Sequence, residues 1–266
     1  MASASVTISA DALTARFDAL RRQNRRALVC YLTAGHPDAA TSLALVRGVA
    51  AAGADVIELG VPFSDPLADG PVIQASSQRA LELGMTLDGA LKLAREARVD
   101  VPLVLFTYLN PLMAAGADVL DRATDAGVSG LLVTDLPVGA DPEREAWVGA
   151  SRLAFVRLVA PTTPSSRMAE IARHGRGFVY LISRLGVTGA SASLSGDLPA
   201  TIARLKAATT LPVCVGFGIS TPEQAREVSR SADGVVVGSA LVAAAQRSTD
   251  EAIALVGALR RALDAD

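Results

Sequence analysis

The sequence predicts a (β/α)8 barrel, or TIM barrel, preceded by one extra N-terminal helix. Short, continuous apolar runs alternate with amphipathic stretches rich in alanine and arginine, mostly at a spacing of about 25 residues. Such runs are typical of strands that are covered on both faces. Repeated right-handed βα units of this kind close economically into a barrel. Because no linker or low-complexity stretch interrupts the series, we assign residues 1–266 to one domain.

The elements follow one another in a regular order. The extra helix is predicted over Ala10–Gln23, because Leu13, Phe17 and Leu20 recur there at helical spacing. The strand-like runs are Ala27–Thr33, Asp55–Leu59, Pro102–Tyr108, Gly130–Leu136, Ala154–Val159, Gly177–Ser183, Pro212–Phe217 and Gly234–Gly238. The helices predicted after the first two strands are Asp38–Ala52, Val72–Leu83 and Leu87–Arg98. The second βα unit therefore carries an additional helix.

An open, doubly wound sheet is the alternative fold. That fold usually carries a GxGxxG fingerprint after its first strand, to hold a dinucleotide. The sequence LTAGHPD (Leu32–Asp38) stands there instead. The barrel is therefore favoured, and its chemistry is expected at the carboxyl ends of the strands.

Composition and charge restrict the class of protein. A formal net charge of −2 gives no long-range attraction for nucleic acid or an anionic membrane, and the cluster Arg21–Arg26 is interpreted as a solvated helix end. The first residues lack the basic and apolar segments of a signal peptide. Cys30 and Cys214 lie far apart in apolar runs, which favours buried free thiols in a reducing environment. We therefore expect a cytoplasmic protein.

Two carboxylates are candidates for acid/base catalysis. Glu58 ends an apolar strand, where burial would raise its pKa towards neutrality, and Asp69 lies on a loop stiffened by prolines. An acid on a strand and a second one brought over it by a loop form a usable pair. The alternative is that Glu58 pairs with an arginine inside the barrel and that Asp65 and Asp69 cap a helix or form turns.

The remaining polar residues limit the chemistry. The only lysines, Lys92 and Lys206, fall in predicted helices, so a Schiff-base mechanism has no nucleophile. The only histidines, His36 and His174, belong to no ligand-spaced cluster, so we expect no histidine-rich metal site. His36, on the loop after strand one, could line the active-site rim, but we interpret it as a cap of the following helix; His174 is interpreted as a surface residue. Carbon–carbon chemistry on carboxylates alone needs a leaving carbon that can carry its own electrons.

Two tyrosines, an aspartate, an asparagine and an arginine complete the candidates. Tyr108 and Tyr180, at the ends of strands three and six, could orient a carboxylate or a substrate hydroxyl, or could simply pack in the core. Asp135 could end strand four as a loop anchor. Asn110 is interpreted as a turn residue that could reach the loop carrying Asp69. Arg157 lies inside strand five, and we expect it to point to a rim or to form an ion pair.

Glycine-rich turns predict an anion site on the same rim. Gly216–Ser220 follows strand seven, and Gly238 and Ser239 follow strand eight. In barrel enzymes these two loops and a short helix commonly hold a phosphate through backbone N–H groups. Gly186–Gly189, with Thr188 as a hydroxyl donor, supplies a further loop after strand six. A phosphorylated substrate is the expectation, although each glycine alone could be only a turn.

These motifs resemble one known family along nearly the whole chain. The run Glu58–Pro71, ELGVPFSDPLADGP, resembles the signature of the tryptophan synthase α subunit family. Further stretches that resemble the family are Leu32–Asp38, Tyr108–Pro111, Leu131–Pro137, Leu158–Pro164, Tyr180–Gly189, Val215–Ser220 and Val235–Val242.

The resemblance implies a lyase that cleaves indole-3-glycerol phosphate to indole and glyceraldehyde 3-phosphate by a retro-aldol reaction. It implies that Glu58 is the acid/base that protonates the ring carbon bearing the side chain, and that Asp69 accepts a hydrogen bond from the indole N–H. Tyr180 is similar to the family tyrosine that positions the glutamate. The positions that resemble the phosphate-binding residues are Gly189, Gly218, Gly238 and Ser239, and Phe217 would line the pocket. Tyr108 remains a candidate orienting residue.

The resemblance also implies a partner. It predicts an α2β2 complex with a β subunit that carries pyridoxal phosphate, no cofactor or metal in this chain, and a β contact near the loop Pro62–Asp69. One stretch departs from the family: Ala190–Ser193 replaces a charged segment found in many relatives, which leaves lid closure and coupling to the β subunit open.

Other functions remain open at this point. A free-standing lyase that releases indole is the nearest alternative. An inactive phosphate-binding barrel that activates another protein would need neither Glu58 nor Asp69. An isomerase of a related phosphosugar would fit the proton-transfer residues but not the loop signature.

Overall fold

A computed structural model describes residues 11–182, 197–216 and 218–265. Its eight strands are parallel and close into a barrel in the sequential order β1 to β8. The strands are β1 Ala27–Thr33, β2 Val56–Gly60, β3 Leu103–Thr107, β4 Val128–Val133, β5 Ala154–Val159, β6 Val179–Ile182, β7 Val213–Gly216 and β8 Gly234–Val237. The predicted barrel is confirmed, and an open sheet is excluded because β1 pairs with both β2 and β8.

Twelve helices surround the barrel within the described residues. They are α1 Asp11–Arg22, α2 Ala39–Ala51, α3 Pro71–Glu82, α4 Leu87–Ala97, α5 Leu109–Ala115, α6 Val119–Asp125, α7 Pro142–Gly149, α8 Ser165–Arg173, α9 Leu198–Ala208, α10 Pro222–Ser229, α11 Ser239–Arg247 and α12 Thr249–Asp264. The additional helix after β2 is confirmed as the pair α3 and α4. Among the described residues, no helix is long and apolar enough to cross a membrane.

The extra N-terminal helix closes the amino-terminal end of the barrel. Leu13, Phe17 and Leu20 of α1 are buried together with side chains of the barrel interior. The ring of Phe17 lies 5.5 Å from that of Phe178, measured between centroids. Leu13 packs so closely on Gly130 that a methyl group added to Gly130 would overlap the Leu13 side chain. Apolar packing thus fills the amino-terminal end of the barrel, and the cavity opens at the carboxyl ends of the strands.

Side chains alternate between two cores along each strand. The barrel interior contains Tyr31, Phe106 and Tyr180, whereas residues such as Leu32 and Leu105 point to the surrounding helices. In the β1–β2 register, Tyr31 lies opposite Glu58. Because the side-chain period of a strand is two, Glu58 and Gly60 share the inner face of β2.

A buried ion pair fixes the amino-terminal end of β2. Asp55 was predicted as the first strand residue, but β2 begins one residue later and Asp55 instead accepts hydrogen bonds from the Leu28 amide and the Arg260 guanidinium, each at 2.9 Å. Both side chains of the pair are less than a tenth exposed. The last helix, α12, is thereby tied to the barrel wall.

The expected ion pair of Arg157 is confirmed. Its guanidinium lies 3.1 Å from the Glu145 carboxylate, donates to the carbonyls of Leu136 and His174, and stacks 3.5 Å from the ring centroid of Phe155. These contacts hold α7 and α8 against β5, which is a structural role.

Candidate active site

A cavity of about 250 Å³ opens at the carboxyl ends of the strands. Its wall is formed by inward-facing strand residues, by the loop after β2, and by the turns after β7 and β8. The lining residues are Tyr31, Glu58, Asp69, Gly70, Pro71, Val72, Ile73, Phe106, Tyr180, Gly218, Ile219, Ser220, Gly238, Ser239, Ala240 and Ala243. The structure therefore brings both candidate acids and the two described glycine turns into one site.

Glu58 is a buried acid without a compensating charge. It is 1% exposed, and its Oε1 atom has no hydrogen-bond partner within the described part of the chain. Burial raises the pKa of its carboxyl from an ordinary 4.5 to about 8. Among the described residues it forms no ion pair, so an arginine partner inside the barrel is excluded there. At neutral pH this carboxyl holds its proton and can deliver it into the cavity.

Asp69 is held over the cavity by Tyr108. The Tyr108 hydroxyl donates a hydrogen bond of 3.0 Å to Asp69 Oδ2 and accepts one of 3.0 Å from the Ala68 amide. Gln74 donates to the Asp69 carbonyl at 2.8 Å, which fixes the loop from α3. Burial raises the pKa of Asp69 and the bond from Tyr108 lowers it, with a balance of about 6. Near neutrality Asp69 is therefore ionised while Glu58 is protonated.

Asp65 and Asp69 do not cap the following helix, but Asp69 does take part in a turn, because its amide donates to the Pro66 carbonyl at 3.1 Å. Gly70 is the N-cap residue of α3, and no side chain among the described residues caps that helix. Asp65 instead accepts a hydrogen bond from Ser64 at 2.6 Å. The Asp69 carboxylate is thus directed towards Tyr108 and the cavity.

Two tyrosines each lie over a glycine of the neighbouring strand. The side chain of Tyr31 lies over Gly60, and that of Tyr180 lies over Gly216, so a methyl group at either glycine would overlap a tyrosine hydroxyl. Both tyrosines are about 95% buried and line the cavity. Burial, followed by the charge of Glu58, raises the pKa of Tyr180. Tyr180 thus remains a neutral phenol beside the glutamate.

The rim after β7 and β8 presents backbone N–H groups. Gly218 has a φ of +88°, a conformation that glycine adopts without strain, and Gly238 is the N-cap residue of α11. No side chain of the described residues caps α11, whereas Thr221 and Gln224 form a complete capping box on the neighbouring helix α10. The first N–H groups of an uncapped helix facing a cavity form a suitable anion site.

Some predicted residues lie outside the described chain. Gly189, Thr188 and the departing segment Ala190–Ser193 belong to residues 183–196, and Phe217 is also among those not described. Their expected parts in phosphate binding, lid closure and lining of the pocket stay predictions.

Four further polar residues lie outside the cavity lining. His36 does not cap α2, because Asp38 does so by accepting from the Thr41 amide, and His36 does not line the cavity. Both of its ring nitrogens are buried without a partner among the residues that the structure describes. His174 is exposed, as predicted. Asp135 is a loop anchor that accepts from the Leu109 amide at 2.7 Å. Asn110 is not in a turn but is an exposed residue of α5.

Tyr31 is a cavity residue that sequence reasoning missed. It lies within a continuous apolar strand, where nothing distinguishes an inward tyrosine from a core residue. Its position opposite Glu58 would have identified it as a cavity residue, but that position can be known only from the register between β1 and β2.

Metal-binding residues are not clustered in the part of the chain that the structure describes. Within residues 11–182, 197–216 and 218–265, no group of three or more His, Cys, Asp or Glu side chains is placed to hold a metal ion. The cavity instead presents two carboxyls, two phenols and backbone N–H groups. This set can move protons and bind an anion.

Comparisons with known proteins point to one family. The sequence profile of "tryptophan synthase alpha chain" matches residues 17–263. The tryptophan synthase alpha chain of Caulobacter vibrioides is 48% identical over 237 residues, covering 87% of this chain and 86% of the relative. The alpha chain of Citrifermentans bemidjiense is 50% identical over 230 residues, covering 85% and 86%.

Solved structures give the same likeness. A chain in the Mycobacterium tuberculosis tryptophan synthase structure in space group F222 superposes with a TM-score of 0.89 at 36% identity, covering 96% of this chain and 98% of that one. The tryptophan synthase subunit alpha of Legionella pneumophila superposes with a TM-score of 0.84 at 34% identity, covering 95% and 98%.

Proposed function

The chain belongs to the tryptophan synthase alpha chain family, and from this premise we propose that Glu58 and Asp69 are the acid/base pair of its reaction. The protein is a lyase of tryptophan biosynthesis that catalyses the α reaction, the cleavage of indole-3-glycerol phosphate to indole and glyceraldehyde 3-phosphate. The same comparisons favour a subunit of tryptophan synthase over a free-standing lyase.

The observation that carries the proposal is the contrast between the two acids. Glu58 is fully buried with a pKa of about 8, and Asp69 lines the same cavity with a pKa of about 6. Near pH 7 one is a proton donor and the other an anion. A pair of carboxyls whose environments separate their pKa values is the usual basis for dividing acid and base roles.

In the proposed reaction, Glu58 first donates one proton and then takes one back. Glu58 delivers its proton to the indole carbon that bears the glycerol phosphate side chain, which moves positive charge to the ring nitrogen. Asp69 accepts a hydrogen bond from that N–H and stabilises the charge. The Glu58 carboxylate then takes the proton of the adjacent side-chain hydroxyl. As that C–O becomes a carbonyl, the carbon–carbon bond breaks and its electrons restore the aromatic ring.

The phosphate is proposed to bind at the rim after β7 and β8. Gly218, Gly238 and Ser239 would supply backbone N–H groups, and Gly189 would add to them. Tyr180 would keep Glu58 in place from across the barrel, and Phe217 would line the indole pocket. Tyr108 acts on Asp69 instead of on the substrate, because its hydroxyl is engaged with Asp69 and Ala68.

Pyridoxal phosphate is proposed to belong to the β subunit alone, in an α2β2 complex. The family assignment and the likeness to solved tryptophan synthase structures support a β-subunit partner. Leu67 on the loop Pro62–Asp69 is 88% exposed, an unusual exposure for a leucine beside an active site. Its burial by the partner would link assembly to the placement of Asp69. The free thiols of Cys30 and Cys214 suit a cytoplasmic enzyme.

The first experiment is indole release from indole-3-glycerol phosphate by the purified chain, with and without a tryptophan synthase β subunit. Wild-type protein should show weak activity that the partner increases. Glu58→Gln should abolish cleavage while leaving the affinity for glycerol 3-phosphate nearly unchanged, because the carboxyl acts on the ring. A Gln variant with wild-type turnover would remove Glu58 from the mechanism.

The contact with the β subunit has its own matched pair of variants. Leu67→Asp should abolish activation by the β subunit without changing the basal rate. Leu83→Asp is the control, since Leu83 is 49% exposed and follows the far end of α3. Equal loss of activation in both variants would contradict a contact at the loop.

A further inference from the structure

Tyr31 lines the cavity but takes no part in the steps above. It lies in the middle of β1, directly opposite Glu58 in the register with β2, and is 4% exposed. A core tyrosine packed among apolar side chains would need no particular neighbours. Tyr31 instead has glycines at both of its ends, and both glycines belong to the site.

The side chain runs along the cavity wall, from beside Gly238 after β8 to Gly60 on β2, the strands on either side of β1. Its Cβ lies 3.5 Å, and its Cγ 3.8 Å, from the place where a Cβ of Gly238 would be. Its hydroxyl and outer ring lie so close over Gly60 that any side chain there would overlap them. Gly238 is the N-cap residue of α11 at the proposed phosphate site, and Gly60 lies between Glu58 and the loop that carries Asp69. One tyrosine side chain therefore spans the distance between Gly238 and Gly60.

The ring is held in this position. It packs edge-on against Phe106, with centroids 5.2 Å apart and an interplanar angle of 82°. Its hydroxyl lies over Gly60, which pairs with Thr33 in the β1–β2 register. Thr33 shares a hydrogen bond of 2.7 Å with Ser76, which in turn donates to the Ile73 carbonyl at 2.8 Å. The edge-on packing against Phe106 and the close approach to Gly60 hold the ring in this orientation.

We propose that Tyr31 is a positioning and specificity-determining residue of the lyase: its ring sets the distance between the phosphate rim and the Glu58–Asp69 pair, and limits the size of aromatic ring that fits above Gly60. The inference rests on the roles proposed for Glu58, Asp69 and Gly238. A shift of the substrate by about 1 Å can reduce turnover about a hundredfold, so a rigid spacer between the two ends acts on the rate as well as on selectivity.

The test compares substrates in a variant that shortens the ring. Tyr31→Leu is assayed with indole-3-glycerol phosphate and with its analogues methylated at each benzo-ring carbon. Turnover of the unsubstituted substrate should fall about 10- to 100-fold. The kcat/KM of at least one methyl analogue relative to the unsubstituted substrate should rise about tenfold. The Kd of glycerol 3-phosphate, which reports on the phosphate rim alone, should change less than about twofold.

Three further variants separate positioning from general stability. Tyr31→Phe keeps the ring and should keep wild-type substrate preference. Phe178→Leu makes the same kind of truncation beside Phe17 at the closed end of the barrel, and should lower stability without changing preference. Tyr31→Met has about the volume of the leucine variant but an unbranched, adaptable side chain that fills irregular gaps, and it replaces the leucine variant if that protein does not fold.

Two results would overturn the inference. One is an unchanged preference between methylated and unsubstituted substrates in both Tyr31→Leu and Tyr31→Met. The other is a loss of turnover in Tyr31→Phe as large as in Tyr31→Leu, which would assign the effect to the hydroxyl. Failure of the wild-type protein to cleave indole-3-glycerol phosphate is a different result, because it would contradict the proposed function itself.

Discussion

The Tyr108 hydroxyl donates a hydrogen bond of 3.0 Å to the Asp69 carboxylate and accepts another of 3.0 Å from the neighbouring Ala68 amide. One side chain at the end of β3 thereby fixes both the loop and the acid that it carries. Since the bond stabilises the ionised carboxylate, it lowers a pKa that burial raises. The protonation state of Asp69 thus depends on a residue of the next strand.

This relationship predicts the pH dependence of catalysis. The active form has Asp69 ionised and Glu58 protonated, so kcat/KM should follow a bell with limbs near pH 6 and pH 8. Tyr108→Phe removes the bond that favours the ionised carboxylate, so the acidic limb should move to higher pH while the alkaline limb stays. Steady-state kinetics across pH 5 to 9 measure both limbs. Because the substrate phosphate also titrates near pH 6, only the shift between wild type and variant identifies Asp69.

Glu58 should also make folding stability depend on pH. Its pKa in the folded chain, about 8, exceeds the ordinary 4.5, so the stability it contributes is complete below pH 4.5 and is lost as the pH rises through 8. Glu58→Gln does not titrate, so its stability relative to wild type should increase between pH 5 and 8 by about 3–4 kcal/mol, since each pKa unit corresponds to about 1.4 kcal/mol. Denaturant unfolding at several pH values measures this.

The control for that experiment is Glu82→Gln. Glu82 is an exposed residue of α3, 3.8 Å from Arg79, and its replacement should leave the pH profile of stability parallel to wild type. Parallel profiles for the Glu58 variant as well would show that its carboxyl does not titrate in the range expected from burial.

The phosphate rim can be tested at Gly238. A Cβ there would meet the nearest atom, Tyr31 Cβ, at 3.5 Å, which is ordinary van der Waals contact. Gly238→Ala should therefore fold normally, yet place a methyl group where the phosphate approaches, and raise KM about tenfold with little change in kcat. Gly149→Ala, at a helix end with open space around it, is the control. An unchanged KM would place the phosphate elsewhere.

Much of the fold followed from local pattern. β1 and β5 have the predicted bounds, because a continuous apolar run covered on both faces has few alternatives. The bounds of β2 were wrong by one residue since Asp55 is buried by its ion pair with Arg260, which is 205 positions away in the sequence. Local pattern contains no information about such a partner.

The site was predictable to the extent that it depends on strand ends. Glu58 and Asp69 were identified from an acid after an apolar run and an acid in a rigid loop, and the structure places both in one cavity. The hydrogen bond from Tyr108 to Asp69 and the position of Tyr31 over Gly60 depend on the register between neighbouring strands, which a single sequence does not specify. The cap assigned to His36 failed because Asp38, two residues later, competes better for the helix N-terminus.

Replacing Asp55 should lower stability without changing catalysis, in contrast to replacing Glu58. Asp55, just before β2, is paired with Arg260 and the Leu28 amide, whereas Glu58 in the middle of the strand has no partner for Oε1 among the described residues. Asp55→Ala would leave a buried guanidinium and a buried amide without this acceptor, which costs about 3–5 kcal/mol. For a chain of this size, Tm should fall on the order of 10 °C. At a temperature where the variant remains folded, kcat and KM should be those of wild type, because Asp55 does not line the cavity. Thermal unfolding with activity measured at low temperature distinguishes the two effects, and a loss of kcat in the fully folded variant would show that the amino-terminal end of β2 also influences the placement of Glu58.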